Sequence, residues 1–457
     1  MTDTFQMLEA RPGGTVAGDM RVPGDKSISH RSIMLGSIAE GRTEISGFLE
    51  GADALATANV FRALGVAIDG PVDGRVTVHG VGRDGLAGPA AALDCGNSGT
   101  SMRLLCGLLA GQRFGATLIG DASLSRRPMK RVIDPLGRMG ARIDSANGRP
   151  PLIVHPVAGL AGADVAMTVA SAQVKSALIL AGLYASGTTR VTEPAPTRDH
   201  TERMLAAFGV TVRRDGPTAS IAGGQRLAGC AIDVPADISS AAFFLVAASI
   251  CPGADLTLRH VGVNPTRTGV LSILRAMGAD ITELDPRTIG GEPVADLRVR
   301  GARLRGIDIP SAWVPLAIDE FPVLFVAAAC ADGVTRLSGA EELRVKESDR
   351  IAAMAEGFAR VGFAVEALPD GMRIEGAGAG ALPFAGGVVD SLGDHRIAMA
   401  FAVAALRARA PIRILDTANV DTSFPGFAAL ARSVGMPVTV ATAADRAAAL
   451  AAPGGAG

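Results

Sequence analysis

The chain predicts an α/β protein of two similar domains, each made of three βαβαββ-type units around buried helices. Three observations carry that expectation. The first is a recurrent helix ending. Gly65, Gly140, Gly209, Gly278, Gly362 and Gly435 each follow an apolar residue: Leu64, Met139, Phe208, Met277, Val361 and Val434. Three positions after each glycine stands Ile68, Ile143, Val212, Ile281, Val365 or Val438. An apolar last turn, a glycine tolerant of positive φ and a β-branched strand start together mark a helix C-terminus running into a strand. The six endings recur about every 70 to 85 residues, the period of a repeated supersecondary unit.

The second observation is how each unit opens. A polar, small-residue cluster precedes a helix: Lys26-Ser27-Ile28-Ser29, Gly96-Asn97-Ser98-Gly99-Thr100, Ser171-Ala172-Gln173, Asp237-Ile238-Ser239-Ser240, Asp319-Glu320 and Gly393-Asp394-His395-Arg396. The segments that follow, such as Leu104-Leu105-Cys106, Ala177-Leu178-Ile179-Leu180 and Phe243-Phe244-Leu245-Val246, are apolar nearly all round. A helix without a polar face has to be buried. Each unit therefore reads as one inner helix, one amphipathic outer helix and strands between them.

The third is a match between Val22-Pro23-Gly24-Asp25 and Val234-Pro235-Ala236-Asp237, about half a chain apart. Proline holds both segments extended. We expect the chain to cross between domains at these points. The first domain is then residues 22–233, and the second is 1–21 with 234–440. An Ala/Gly-rich tail, 441–457, is expected to fray. Two crossings suggest an interdomain cleft into which the inner helices point their N-termini.

Composition removes several classes of function. With 44 Lys+Arg against 45 Asp+Glu, the net charge of −1 offers no overall field for nucleic acid. Aromatics are 4%, with one Trp and one Tyr, so platforms for stacking bases are not expected. Apolar runs are interrupted before they reach membrane-spanning length, and the N-terminus has no signal-peptide pattern. Five scattered cysteines (Cys95, Cys106, Cys230, Cys251, Cys330) read as reduced residues of a cytosolic protein. The six histidines have no metal-ligand spacing, so neither a metal nor another cofactor is expected.

What the openers do carry is cations: Lys26, Arg31, Arg103, Arg127, Arg198, Lys346, Arg350 and Arg396 stand at or near them. Helix N-termini present unpaired N–H groups and positive dipole ends, and the guanidinium fork takes two oxygens of a carboxylate or phosphate. Together they predict a strongly positive cleft for ligands bearing several negative charges. Acids stand among them, Asp319-Glu320 and Lys346-Glu347-Ser348-Asp349-Arg350. Asp319 reads equally as a helix cap or as an acid or base of the reaction.

These motifs resemble the 5-enolpyruvylshikimate-3-phosphate synthase family. The resemblance rests on Pro23-Gly24-Asp25-Lys26-Ser27-Ile28-Ser29-His30-Arg31, Leu93-Asp94-Cys95-Gly96-Asn97-Ser98-Gly99-Thr100 and Arg126-Arg127-Pro128-Met129. It continues through Ser171-Ala172-Gln173-Val174-Lys175-Ser176, Arg344-Val345-Lys346-Glu347-Ser348-Asp349-Arg350 and Asp394-His395-Arg396-Ile397-Ala398-Met399. It implies transfer of the enolpyruvyl group of phosphoenolpyruvate to the 5-hydroxyl of shikimate 3-phosphate, with release of phosphate, on the way to chorismate and aromatic amino acids. It also implies Asp319 as base and Glu347 as acid. Shikimate 3-phosphate would be held by Lys26, Ser27, Arg31, Ser171, Ala172, Gln173, Arg198, Asp319 and Lys346. Phosphoenolpyruvate would be held by Lys26, Gly99, Arg127, Gln173, Arg350 and Arg396. A cytoplasmic monomer without nucleic-acid or membrane partners is expected.

Three positions bear on how far the resemblance reaches. Thr422 precedes Ser423-Phe424-Pro425 where many relatives have lysine, and Arg198 stands where others have tyrosine. Gly99 occupies the position of an alanine in glyphosate-insensitive relatives, which implies sensitivity to that compound. The alternative is the sister enolpyruvyl transferase acting on UDP-N-acetylglucosamine. That enzyme carries a loop cysteine before its Arg-Pro, and Asp121-Ala122-Ser123-Leu124-Ser125 has none. A non-catalytic anion-binding protein on the same scaffold would have lost Asp319 or Glu347, and both are present.

Overall fold

A computed structural model describes residues 6–441 of the chain. Inner and outer helices alternate along it as α1 (Lys26–Ile38) and α2 (Ala52–Ala63), α3 (Gly99–Ala110) and α4 (Lys130–Arg138), α5 (Ala172–Gly182) and α6 (His200–Ala207). The second half continues with α7 (Ile238–Ile250) and α8 (Gly269–Ala276), then α9 (Phe321–Ala329) and α10 (Arg350–Arg360). It ends with α11 (His395–Ala404), the short α12 (Val420–Ser423) and α13 (Phe427–Ser433). Every residue of α7 and α9 is buried, as is every residue of α11 except Arg396. All six helix-ending glycines take positive φ, between 77° and 98°. The strand after α10 starts at Glu366, so Val365 falls just ahead of it.

The chain forms two compact units. One comprises Gly24–Pro235 with Thr288–Pro293; the other comprises residues up to Pro23, Ala236–Arg287 and residues from Val294 onward. The tip of the hairpin between Asp280–Ile289 and Glu292–Arg300 thus belongs with the Gly24–Pro235 unit, a feature that no repeat signalled. Ala441 ends a strand, and the rest of the expected tail lies outside the described residues.

Within each unit the strands follow one plan. Ala39–Ser46, Arg75–Val81 and Ala67–Val72 run antiparallel, and the short Leu227–Ala228 and Ala231–Asp233 join them in parallel. The second sheet has Ala116–Ile119, Arg149–His155 and Arg142–Ala146 antiparallel, with Leu93–Asp94 parallel. The third has Thr188–Thr192, Thr218–Ala222 and Val212–Asp215 antiparallel, with Asp164–Ala166 parallel. Each sheet is completed by the end of the preceding repeat, and the third repeat returns to complete the first. The unit is therefore closed on itself by backbone hydrogen bonds.

The other unit repeats the plan with one exchange. Its last sheet has Met7–Ala10 as the strand between Ile412–Leu415 and Val438–Ala441, so the N-terminus closes it. Ala17–Met20 completes the sheet of Asp255–Gly262 in the same parallel manner. Each unit holds its own apolar core around its inner helices. Where the chain passes from one unit to the other, the Asp25 N–H donates to the Pro235 carbonyl at 2.7 Å and the Asp237 N–H to that of Pro23 at 2.9 Å. Among the described residues no helix is long and apolar enough to cross a membrane.

The repeat's reliance on left-handed backbone is testable at Gly209, where a Cβ would meet nothing within 4 Å. Gly209→Ala is expected to lower stability by about 1–2 kcal/mol through φ alone. Gly137, inside α4 and equally open, is the control. Gly137→Ala is expected to raise stability by roughly 0.5–1 kcal/mol, because alanine loses less backbone entropy in a helix. Urea unfolding of both variants reads the two signs.

Candidate active site

In the Gly24–Pro235 unit the openers of α1, α3 and α5 are joined by side chains. Gln173, in the first turn of α5, accepts from Arg103 of α3 at 2.5 Å and donates to Thr100 at 2.8 Å. Arg127 donates to Asn97 at 2.7 Å, which turns its guanidinium toward the start of α3. A Cβ on Gly99 would lie 2.9 Å from one nitrogen of Arg103 and 3.2 Å from one of Arg127. Glycine therefore lets both guanidiniums come down on the helix start, and any side chain there would push them outward.

The α1 opener is held from behind. Lys26 forms an ion pair with the buried Asp53 of α2. His30 is buried, with Nδ1 2.7 Å from the Thr57 hydroxyl and Nε2 3.4 Å from that of Ser98. Its pKa lies well below the ordinary histidine value, because burial disfavours the imidazolium and Lys26 and Arg31 oppose a further positive charge. His30 is thus a neutral strut between α1, α2 and α3.

Arg31 carries the decisive environment of this cluster. It is 4% exposed and donates to three neutral oxygens: Thr201 Oγ1 at 2.7 Å, Ser176 Oγ at 2.9 Å and the Ser27 carbonyl at 3.0 Å. No described carboxylate is within ion-pair distance of it. Burial pushes its pKa down to about 10 although Glu202 and Asp25 favour the charge, and the neighbouring Arg198 opposes it. At neutral pH it stays cationic without a counter-ion of its own, an arrangement that favours an anionic ligand.

The other unit brings together Asp319, Lys346, Glu347, Arg350 and Arg396 with different electrostatics. Arg350 is 1% exposed and meets Asp394 at 2.8 Å, Glu347 at 2.7 Å and Asp319 at 3.3 Å. Lys346 lies 3.3 Å from Asp319, and Arg396 donates to the Asp319 carbonyl at 3.1 Å. Burial works against the Arg350 charge, but the three carboxylates outweigh it and raise its pKa above the ordinary value. Asp394 is held below the usual carboxylate range: burial opposes its charge, and the Arg350 attraction overcomes that.

These contacts revise three expectations. Five of the six inner-helix N-termini are not bare: Asp25, Ser98, Ser171, Asp237 and Asp394 each accept an N–H of their own helix. Helix capping had the first claim on those donors. Positive charge is not spread over every opener either, since the cations in the second unit are matched by acids. Asp319 is not a cap; Glu320 takes the N-cap position of α9 without a side-chain capping bond, and Asp319 faces Lys346 and Arg350. Thr422 donates its hydroxyl to the Asn419 carbonyl at 2.6 Å.

Sequence reasoning assigned no role to Asp53, Thr57, Ser176, Thr201 and Asp394. Asp394 and Ser176 stood inside quoted motifs, but nothing in spacing says which side chain holds which cation. The described residues contain no group of three His, Cys, Asp or Glu able to hold a metal ion. The five cysteines are free. Burial pushes the thiols of Cys106 and Cys330 up to about 12 and that of Cys251 up to about 11, so they stay protonated and are poor nucleophiles.

Two sets of cations near helix starts, one with Arg31 beside neutral hydroxyls and one interleaved with carboxylates around Arg350, are suited to anionic ligands. Comparison with known proteins gives the family. EPSP synthase (3-phosphoshikimate 1-carboxyvinyltransferase) matches the chain over residues 10–430. The 3-phosphoshikimate 1-carboxyvinyltransferase of Alkalilimnicola ehrlichii is 68% identical, covering 96% of this chain and 98% of the relative. That of Methylococcus capsulatus is 64% identical, covering 96% and 100%. A solved structure of EPSP synthase from Acinetobacter baumannii superposes with a TM-score of 0.87 at 54% identity, covering 96% of this chain and all of that one. The chain belongs to the EPSP synthase family.

The Asp394–Arg350 pair sets an acid limit on stability. Because the folded-state pKa of Asp394 is lowered, its contribution is complete above the unfolded value of about 4 and is lost as pH falls through the folded value. Asp394→Asn is expected to cost about 3–5 kcal/mol at pH 7, the range for breaking a buried ion pair by removing one partner. The difference from the parent should shrink below about pH 4. Urea unfolding at pH 7 and pH 3.5 measures both.

Proposed function

We propose that this chain transfers the enolpyruvyl group of phosphoenolpyruvate to the 5-hydroxyl of shikimate 3-phosphate, releasing phosphate, and that both clusters serve that one reaction. The observation that carries the reading is the division of labour between them. Arg31, with only neutral partners, Arg198 beside it, and Lys26, Ser27, Ser171, Ala172 and Gln173 at the same helix starts suit a phosphorylated polyol. Arg127 and Gly99, together with Lys26 and Gln173, suit the compact dianionic donor, to which Arg350 and Arg396 add charge. Lys346, next to Asp319, completes the set for shikimate 3-phosphate.

The chemistry assigns the acids. In the addition step the 5-hydroxyl oxygen bonds to C2 of phosphoenolpyruvate, losing its proton to Asp319. The methylene C3 gains a proton from Glu347 and becomes a methyl group. The product of addition is a tetrahedral phospho-ketal. Elimination removes one methyl proton, restores the carbon–carbon double bond and expels phosphate. The Asp319 carboxylate contacts Lys346 and Arg350, which favour its ionised, proton-accepting form. Glu347 meets Arg350 through Oε2 at 2.7 Å, which fixes the direction of its carboxyl group. Orienting two anions supplies proximity, and the surrounding cations stabilise charge at the leaving phosphate.

In this reading the working unit is a monomer. The free cysteines, four of them buried and Cys230 partly so, support a cytosolic setting. The acceptor is tested by measuring phosphate release with shikimate 3-phosphate and, separately, with UDP-N-acetylglucosamine. Release with the first alone is expected; release with the second alone would overturn the reading. Asp319→Asn and Glu347→Gln are each expected to lower kcat by about 10²–10⁴-fold. Circular dichroism should show both variants folded, and a variant that retains turnover would remove that residue from its role.

A further inference from the structure

The Ser171–Ser176 motif contains a charge that the reaction leaves unused. Lys175 is completely buried in α5, and its ammonium lies 3.1 Å from Glu193 Oε2 and 2.8 Å from Glu202 Oε1. Arg214 reaches the same two carboxylates, at 3.0 Å and 3.5 Å. Thr197 donates its hydroxyl to the other oxygen of Glu193. Two cations and two anions cancel, so the group adds little net field at the neighbouring helix starts. Nor is a buried ion network a strong source of stability, since desolvation offsets most of the attraction.

Its position indicates its use. Ser176 follows Lys175 and Thr201 precedes Glu202, and these two hydroxyls hold Arg31 at 2.9 Å and 2.7 Å. Thr201 also donates to Ser176 at 2.7 Å. The Glu202 carboxylate is therefore one residue from the group that binds the Arg31 Nε–H. Its Oε2 atom is buried and accepts no hydrogen bond. A buried carboxylate oxygen without a donor is costly, and a nearby guanidinium is the partner it lacks. Its field already favours the Arg31 charge.

We propose that Lys175 is a positioning residue that holds Glu202 away from Arg31, so that Arg31 keeps only neutral partners and stays open to the anionic acceptor substrate. Without the ammonium, Glu202 turns onto Arg31 and competes with the ligand as an internal anion. The inference rests on the assignment of Arg31 to shikimate 3-phosphate.

The test is a double-mutant cycle read as the KM for shikimate 3-phosphate and, by calorimetry, its dissociation constant. Lys175→Met is expected to raise both by about 10- to 100-fold, the range for a close charge pair that must be broken before binding. The rise in KM should exceed any fall in kcat. Adding Glu202→Gln to that variant is expected to restore KM to within about threefold of the parent, because the competing anion is gone. A merely structural Lys175 predicts the opposite: the second substitution deepens the defect, and that outcome overturns the proposal. Should Lys175→Met not fold, Glu202→Gln alone decides. The proposal expects unchanged or tighter binding, and a tenfold loss overturns it. Arg31→Ala separates the two levels. No change in KM there refutes the Arg31 assignment and this proposal with it, whereas a large rise with no effect of Lys175→Met refutes the proposal alone.

Discussion

A guanidinium taken out of water must be given something in return, and the two units answer that demand differently. Arg350 at the start of α10 is surrounded by carboxylates from three segments. Arg31 in α1 is given hydroxyls and a carbonyl. Both are almost fully buried, so neither can rely on solvent to screen its charge. The first arrangement matches the charge with carboxylates. The second leaves Arg31 with neutral partners only. The local chemistry of each cluster follows from this contrast.

The buried helices make the contrast possible. An inner helix that is apolar on every face can lie only inside a closed shell of sheets, and its first turn is the one place where polar side chains reach the surface of the core. Capping residues therefore gather there, and the same residues act on the cations. Asp394 accepts the Arg396 N–H as the cap of α11 and the Arg350 Nε–H as a counter-ion. One carboxylate thus ties helix geometry to charge position. His30 does comparable work in the other unit without charge, because burial and two neighbouring cations keep its ring neutral.

Much of this was legible before the structure. The six glycines announced six helix ends, and all six adopt the left-handed backbone that their sequence context demands. Inner helices were recognisable because a segment such as Phe243–Ile250 has no polar face to present to water. Met7–Ala10 lies between two C-terminal strands. The Thr288–Pro293 tip was not legible, since no local pattern marks which core a hairpin tip joins. Partner choice was equally hidden: Asp53 for Lys26 and Glu202 for Lys175 are exchanges between helices whose approach depends on packing.

The sequence by itself determined the repeat, the six helix-ending glycines, the inventory of cations and acids, and the motifs that tie the chain to its family. These are local matters, decided by backbone sterics and by the period of apolar residues. Tertiary structure alone decided which cations are neutralised and which are left with neutral partners. That depends on distances of a few ångströms between segments far apart in the chain, and on how far burial removes solvent from them. Lys346, Arg350, Arg31 and Arg198 read alike as letters. Asp319 and Glu347 beside the first two, and Thr201 and Ser176 beside Arg31, make them chemically different.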